Sequence, residues 1–118
     1  AEVMKEYKLT YTIAGHIGDG NLHIIPLMNL RNARDRDIVM ELSKKVFDLV
    51  FSFGGSMSAE HNDGLIRTAY LRQMYGDKIY SLFEETKNIF DPQNIFNPGK
   101  KVYGHDLAYI KDHIDKVY

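Results

Sequence analysis

The fold of this 118-residue chain is decided by residues 15–23, Gly-His-Ile-Gly-Asp-Gly-Asn-Leu-His. The stretch holds three glycines, two histidines and an Asp-Gly pair, and strand-like apolar sequence lies on both sides of it. Asp-Gly is a strong signal for a two-residue hairpin turn, because a type I′ turn needs positive φ at both central positions. We therefore predict a β-hairpin whose strands lie within residues 5–14 and 22–28.

This turn would place two histidines side by side. If Asp19 and Gly20 form the loop, His16 pairs directly with His23. Directly opposed residues point to the same face, with Cβ atoms about 4.5–5.5 Å apart, so the two imidazoles could share one metal ion. A one-residue slip would put them on opposite faces. The alternative is that both are ordinary histidines without a ligand, and the pattern leaves both interpretations open.

The bulk composition restricts the class of protein. The chain has fifteen Lys and Arg residues and sixteen Asp and Glu residues. This near-neutral charge balance argues against binding to nucleic acid or to an acidic membrane surface. The chain has no cysteine, which excludes disulfides and leaves His, Asp and Glu as metal ligands. We expect a cytoplasmic location, with peripheral attachment to a membrane as the alternative.

Helical spacing of apolar residues dominates the sequence after the hairpin. It is clearest in residues 37–53, which a pair of glycines follows. Further helices are predicted at 68–75 and 77–90. A last one is predicted in the tail, where apolar residues recur at Leu107, Ile110, Ile114 and Val117. The predicted fold class is α+β, with an antiparallel hairpin or partial sheet followed by several helices.

Two loops carry further candidate residues. Residues 54–64 are mostly small and enclose Glu60 and His61. Two histidines and one carboxylate are a common ligand set for zinc and similar ions, and a further imidazole beside them suits a general base. A connecting loop with solvated charges explains Glu60 and His61 too. Residues 90–100 predict an ordered loop built on Asx turns, and a plain turn explains Asn97 as well as a binding role does.

Three motifs together resemble one known family. Residues 15–23 resemble the G-H-x-G-D-G-N-x-H signature of FAD-linked oxidases of the vanillyl-alcohol-oxidase type. Residues 54–61 are similar to the family's G-G-[ST]-x-S-x-E-H segment, and residues 90–100 to its F-D-P-x-x-I-x-N-P-G-K segment. Within the family, the chain looks most like the C-terminal part of the cap (substrate) domain in the D-lactate dehydrogenase, glycolate oxidase and D-2-hydroxyglutarate dehydrogenase branch.

The resemblance implies a role for each candidate residue. His16, His23 and Glu60 are implied as ligands of a divalent metal, with zinc as the first choice. His61 is implied as the catalytic residue that binds substrate and takes a proton. Asn97 is implied as a contact on the flavin side, with FAD bound mainly by an N-terminal domain.

This sequence departs from the family pattern at two positions. Asn62 replaces the glycine of an E-H-G-D-G subgroup. Ile25 stands where some relatives carry an asparagine that helps to hold substrate, so their substrate preference does not transfer.

The resemblance also implies what the chain belongs to. Residues 1–118 would be a fragment of a ferredoxin-like cap domain, roughly the last quarter of an enzyme that oxidises a D-2-hydroxy acid to the 2-oxo acid. The start at Ala1, without an initiator Met, fits this expectation. The partner would be the FAD-binding domain of the same polypeptide, and the fragment alone would be inactive. Missing strands would expose a sheet edge, so copies could self-associate.

Two other functions remain open. One is a freestanding metal-binding module without redox activity. The other is a non-redox flavoenzyme of the same superfamily, such as an alkyl-phosphate synthase.

Overall fold

The computed structural model describes residues 2–114. Its helices and strands are, in order, α1 (Glu2–Glu6), β1 (Tyr11–His16), β2 (Asn21–Pro26), α2 (Ala33–Ser52), α3 (Gly64–Arg67), α4 (Leu71–Phe90) and α5 (Leu107–Asp112). Strands β1 and β2 form a two-stranded antiparallel sheet, and the α+β prediction is confirmed. None of the helices within residues 2–114 has the length and apolar character needed to cross a membrane.

The hairpin is present, but its loop has four residues rather than two. A 3-10 turn over Ile17–Asp19 closes where the N–H of Gly20 donates to the carbonyl of Ile17 at 3.1 Å. Of the Asp-Gly pair, only Gly20 has a positive φ, 68°. A type I′ turn needs positive φ at both positions, whereas four-residue loops are usually built on a type I turn. The prediction of a two-residue turn is therefore wrong.

The first strand is shorter than predicted. Residues 5 and 6 belong to α1, and β1 begins only at Tyr11. Glu, Met and Lys in α1 are good helix formers, and Lys8, with a φ of 51°, follows the helix. An ion pair of 2.5 Å between Lys45 Nζ and the Glu6 carboxylate connects α2 to the end of α1.

The long helices lie close to their predicted positions. Helix α2 begins four residues earlier than predicted, and Gly54, with a φ of 70°, follows its end. The predicted break between the helices at 68–75 and 77–90 is confirmed, because Gly76 inside α4 has non-helical angles, φ 75° and ψ 164°, which mark a kink between two helices. Helix α5 confirms the predicted tail helix as far as Asp112, and the predicted apolar position Val117 lies outside the described residues.

The chain divides into two compact units. The first comprises residues 2–49 with Ile114, and the second comprises Val50–His113. Buried apolar side chains of the first unit are Met4 and Leu42, and those of the second are Met57, Tyr70, Leu71, Tyr80, Val102 and Ile110. The hairpin contributes none of these buried apolar side chains. The assignment of residues 1–118 to one C-terminal domain stays a prediction.

Candidate functional site

The hairpin sets the positions of the two predicted histidine ligands. In the observed register, His16 pairs with Asn21 and His23 pairs with Ala14. The predicted direct opposition of the two histidines is therefore wrong. The longer loop shifts the pairing by two positions, and an even shift keeps side chains on their original face. His16 and His23 are thus diagonal neighbours on one face, where Cβ atoms are about 7–8 Å apart.

The two faces of the hairpin differ in chemistry. The face with His16 and His23 is more polar, and His23 is half-buried while His16 is exposed. The opposite face carries Ile13, Leu22 and Ile24, of which Ile13 and Ile24 form a directly opposed pair. These three side chains are 38% to 53% exposed. The hairpin therefore presents two imidazoles on one face and exposed apolar side chains on the other.

The second unit brings Glu60 and His61 together. Glu60 Oε1 lies 3.5 Å from His61 Nε2, and each side chain is about half exposed. The pair lies in the segment of residues 58–64, hereafter the Glu60–His61 loop, which begins with a turn in which the N–H of His61 donates to the carbonyl of Ser58 at 2.9 Å. A carboxylate and an imidazole are thus available side by side on the surface of this unit.

A buried carboxylate fixes the Glu60–His61 loop from inside. Asp63 is only 4% exposed, and its Oδ1 accepts a hydrogen bond from the hydroxyl of Ser58. Its Oδ2 accepts from Lys101 Nζ at 2.5 Å. Buried charges are stable only when they are paired and hydrogen-bonded, and Asp63 meets both conditions.

The loop that carries Asn97 is held in a similar way. Asp91 is 6% exposed, and its carboxylate accepts the N–H groups of Ile95 at 2.9 Å and Phe96 at 2.8 Å. Lys87 pairs with Asp91 and also donates to the carbonyl of Phe96. Asn97 follows at once, exposed and with a φ of 47°. The ordered loop predicted for residues 90–100 is present, and its role toward a flavin stays a prediction.

The electrostatics of Asp91 follow from these contacts. Burial pushes the pKa of its carboxyl upward, but the Lys87 ammonium and the N–H groups of Ile95 and Phe96 outweigh that effect. The pKa of Asp91 therefore lies below its ordinary value, and the loop is held by an ionised carboxylate.

The sequence interpretation missed the residues that support the site. Asp63 and Lys101 are 38 positions apart, and no local pattern links them. Lys87 and Asp91 are four positions apart, at the end of a helix, and this spacing is the signal that could have found them.

The predicted metal ligands fit zinc in their donor chemistry. His16 and His23 belong to the first unit and Glu60 to the second. Two imidazole nitrogens and one carboxylate oxygen are the protein ligands of a common catalytic zinc site, which leaves a position open for substrate. His16 and Glu60 are also exposed, so an ion could reach them.

Comparison with known proteins gives the family. A family model described as FAD linked oxidases, C-terminal domain, matches residues 1–101. A D-lactate dehydrogenase of Archaeoglobus fulgidus is 35% identical over 101 residues, which are 86% of this chain and 22% of that protein. The glycolate oxidase subunit GlcD of Bacillus subtilis is 30% identical over 99 residues, 84% of this chain and 21% of the relative.

A third relative comes from the same branch. A D-2-hydroxyglutarate dehydrogenase of Pseudomonas putida is 34% identical over 94 residues, which are 80% of this chain and 9% of that protein. The chain thus spans between 9% and 22% of the length of these three relatives. The resemblance stated from the motifs, including its branch, is confirmed. The chain belongs to the FAD-linked oxidases and corresponds to their C-terminal domain.

Proposed function

We propose that the chain is the substrate- and metal-binding part of an FAD-dependent oxidoreductase. The reaction is oxidation of a D-2-hydroxy acid, of the lactate, glycolate or 2-hydroxyglutarate kind, to the 2-oxo acid. The observation that carries the proposal is the pair Glu60 and His61, with 3.5 Å between Glu60 Oε1 and His61 Nε2, in a loop fixed by buried Asp63. The names of the three relatives support the substrate class.

The first role of the chain is to hold a divalent ion, for which zinc is the first choice. His16, His23 and Glu60 are the proposed ligands, because they supply two neutral nitrogens and one anionic oxygen. A bound ion would supply Lewis acidity toward the hydroxy acid. By holding the ion, the three side chains would help to orient the substrate.

The second role is proton removal, which we assign to His61. Its imidazole takes the hydroxyl proton as the 2-oxo group forms, because a neutral imidazole nitrogen can accept a proton from a group within hydrogen-bond reach. FAD, bound mainly by an N-terminal domain of the same polypeptide, supplies the oxidising chemistry when present. Asn97 is proposed as a contact on the flavin side, because its exposed turn is fixed by the neighbouring Asp91 loop.

The test is turnover by the full polypeptide that carries this chain together with an FAD-binding domain. D-lactate, glycolate and D-2-hydroxyglutarate are supplied in turn, with L-lactate as the stereochemical control. We expect one of the three acids, and not L-lactate, to reduce the flavin and bleach its absorbance. His61→Asn should lower kcat by about 10²–10⁴-fold, whereas His113→Gln should leave it unchanged.

The same measurement separates the alternatives. Flavin that stays oxidised with all three acids would contradict the proposed reaction, and conversion of acyl-dihydroxyacetone phosphate would favour a non-redox flavoenzyme. A reading frame that does not encode an FAD-binding domain would favour a freestanding metal-binding module. The 118 residues alone are expected not to oxidise D-lactate, so turnover by this chain alone would also contradict the proposal.

A further inference from the structure

Lys101 contacts the Glu60–His61 loop at two adjacent residues. Its Nζ donates to Asp63 Oδ2 at 2.5 Å and to Asn62 Oδ1 at 2.7 Å. The Asp63 side chain is 3% exposed, while that of Lys101 is 51% exposed. A buried carboxylate needs a compensating cation, and Lys101 supplies it to a residue only two positions after His61.

The backbone of Lys101 is fixed as well. Its N–H donates to Thr68 Oγ1 at 2.9 Å, and the Thr68 hydroxyl in turn donates to the carbonyl of Gly64 at 2.5 Å. Thr68 is 4% exposed. Lys101 is therefore connected to both ends of the segment from Asn62 to Gly64, by its side chain at one end and through Thr68 at the other.

The Glu60–His61 loop has a backbone that needs such support. Ala59 and Asn62, which flank Glu60 and His61, have positive φ values of 43° and 61°. Residues other than glycine pay a steric cost in this left-handed region, and they stay there only where the surrounding contacts fix them. The contacts of Lys101 with Asn62 and Asp63 are surrounding contacts that can fix the backbone of the loop in this conformation.

We propose that Lys101 is a positioning residue for Glu60 and His61. Through Asp63 and Asn62, it holds the Glu60–His61 loop in the conformation that presents the metal-ligating carboxylate and the proton-accepting imidazole. The roles of Glu60 and His61 in this statement rest on the proposed function. The conformation of the loop can be measured whether or not the proposed function is correct.

The test compares three variants of the whole chain without metal. Lys101→Met removes the charge, Lys101→Arg keeps it, and Lys100→Met is the matched control at the exposed neighbouring lysine. The measurement is the NMR order parameter of the Glu60 and His61 amides. We expect a fall from about 0.85 to below about 0.6 in Lys101→Met, with wild-type values in Lys100→Met and near-wild-type values in Lys101→Arg.

A second measurement is zinc affinity by calorimetry, with the thermal unfolding midpoint recorded for each variant. Lys101→Met should weaken zinc binding about tenfold or more, as loss of a supporting residue does in other metal sites. Lys101→Arg should bind zinc with near-wild-type affinity. If Lys101→Met does not fold, Lys101→Gln takes its place, because it keeps hydrogen-bond donors without the charge.

The outcomes are distinct. Wild-type order of the Glu60 and His61 amides in a folded Lys101→Met or Lys101→Gln protein would overturn the positioning role, even if the midpoint falls. Wild-type protein that binds no zinc would count against the proposed function, and the amide order would still decide the role of Lys101.

Discussion

The hairpin and the Glu60–His61 loop supply ligands to the same proposed metal site, but they are held in different ways. His16 and His23 are placed by the backbone pairing of two exposed strands. Glu60 and His61 lie in a loop fixed by a buried carboxylate and a lysine from a distant part of the chain. The hairpin geometry therefore depends on register and on the turn, whereas the loop geometry depends on charged side chains and the core beneath them.

The largest expected effect comes from the difference in burial between an apolar side chain of the second unit and one of the hairpin. Leu71 is completely buried in the second unit, whereas Ile13 on the hairpin is 51% exposed. Leu71→Ala should lower the free energy of unfolding by about 2–5 kcal/mol, because it removes transfer energy and leaves a cavity. Ile13→Ala should cost no more than about 1 kcal/mol. Urea denaturation measures both, and equal losses would contradict the comparison.

The next prediction concerns the pH dependence of stability that comes from the buried carboxylate of Asp91. Because the pKa of Asp91 lies below its ordinary value, its contribution to stability is present above about pH 4 and is lost as the pH falls through the folded-state value. Asp91→Asn should lower the unfolding midpoint at neutral pH, and its difference from wild type should shrink in acid.

Thermal denaturation of Asp91→Asn at several pH values is the measurement for this prediction. Glu85→Gln, which changes an exposed carboxylate on α4, is the control and should have the same unfolding midpoint as the wild type at each pH. A constant difference between Asp91→Asn and wild type across the acid range would show that the ionised carboxylate is not what holds the loop.

A smaller effect is expected in the hairpin turn. Gly20 has a φ of 68°, and Gly18 has no positive φ, while an added Cβ would meet no other atom within 4 Å at either position. Gly20→Ala should therefore destabilise the hairpin by about 1–2 kcal/mol, and Gly18→Ala should not destabilise it. Chemical denaturation compares the two. A loss at Gly18 similar to that at Gly20 would contradict the four-residue loop.

The smallest effect concerns the apolar face of the hairpin. We expect weak self-association of the isolated chain through Ile13, Leu22 and Ile24, because exposed apolar patches favour contacts between copies. Ile24→Lys should raise the monomer fraction in sedimentation experiments. Ile89→Lys, at a position on α4 that is 74% exposed, should leave the monomer fraction unchanged. An equal effect of the two substitutions would contradict self-association through the apolar face of the hairpin.

Much of the fold could be predicted because its signals are local. Apolar spacing indicated the long helices, and the Asp-Gly pair between two strand-like segments indicated the hairpin. The register could not be predicted, since Asp-Gly is compatible with two turn geometries and only the backbone of Asp19 decides between them. The first strand was predicted too long, because the helix formers of α1 directly precede strand-like Tyr, Thr and Ile residues.

The residues of the candidate site were named from the resemblance, and their roles stay predictions. The proposed ligands and the proposed base come from motifs that are continuous in sequence, so the resemblance could name them: His16, His23, Glu60 and His61. The support of Asp63 by Lys101 joins two segments that are far apart in sequence, and nothing near either residue indicates the other. Such pairs become visible only when the fold brings them together.

The most direct test of the central claim is a zinc titration of the chain by calorimetry. We expect one ion per chain, with affinity reduced by about hundredfold or more in His16→Ala, His23→Ala and Glu60→Gln, because loss of a direct ligand exceeds the loss of a supporting group. His113→Gln is the control and should bind as the wild type does. Zinc binding that is unchanged in the first three variants, or absent from the wild type, would contradict the proposed metal site.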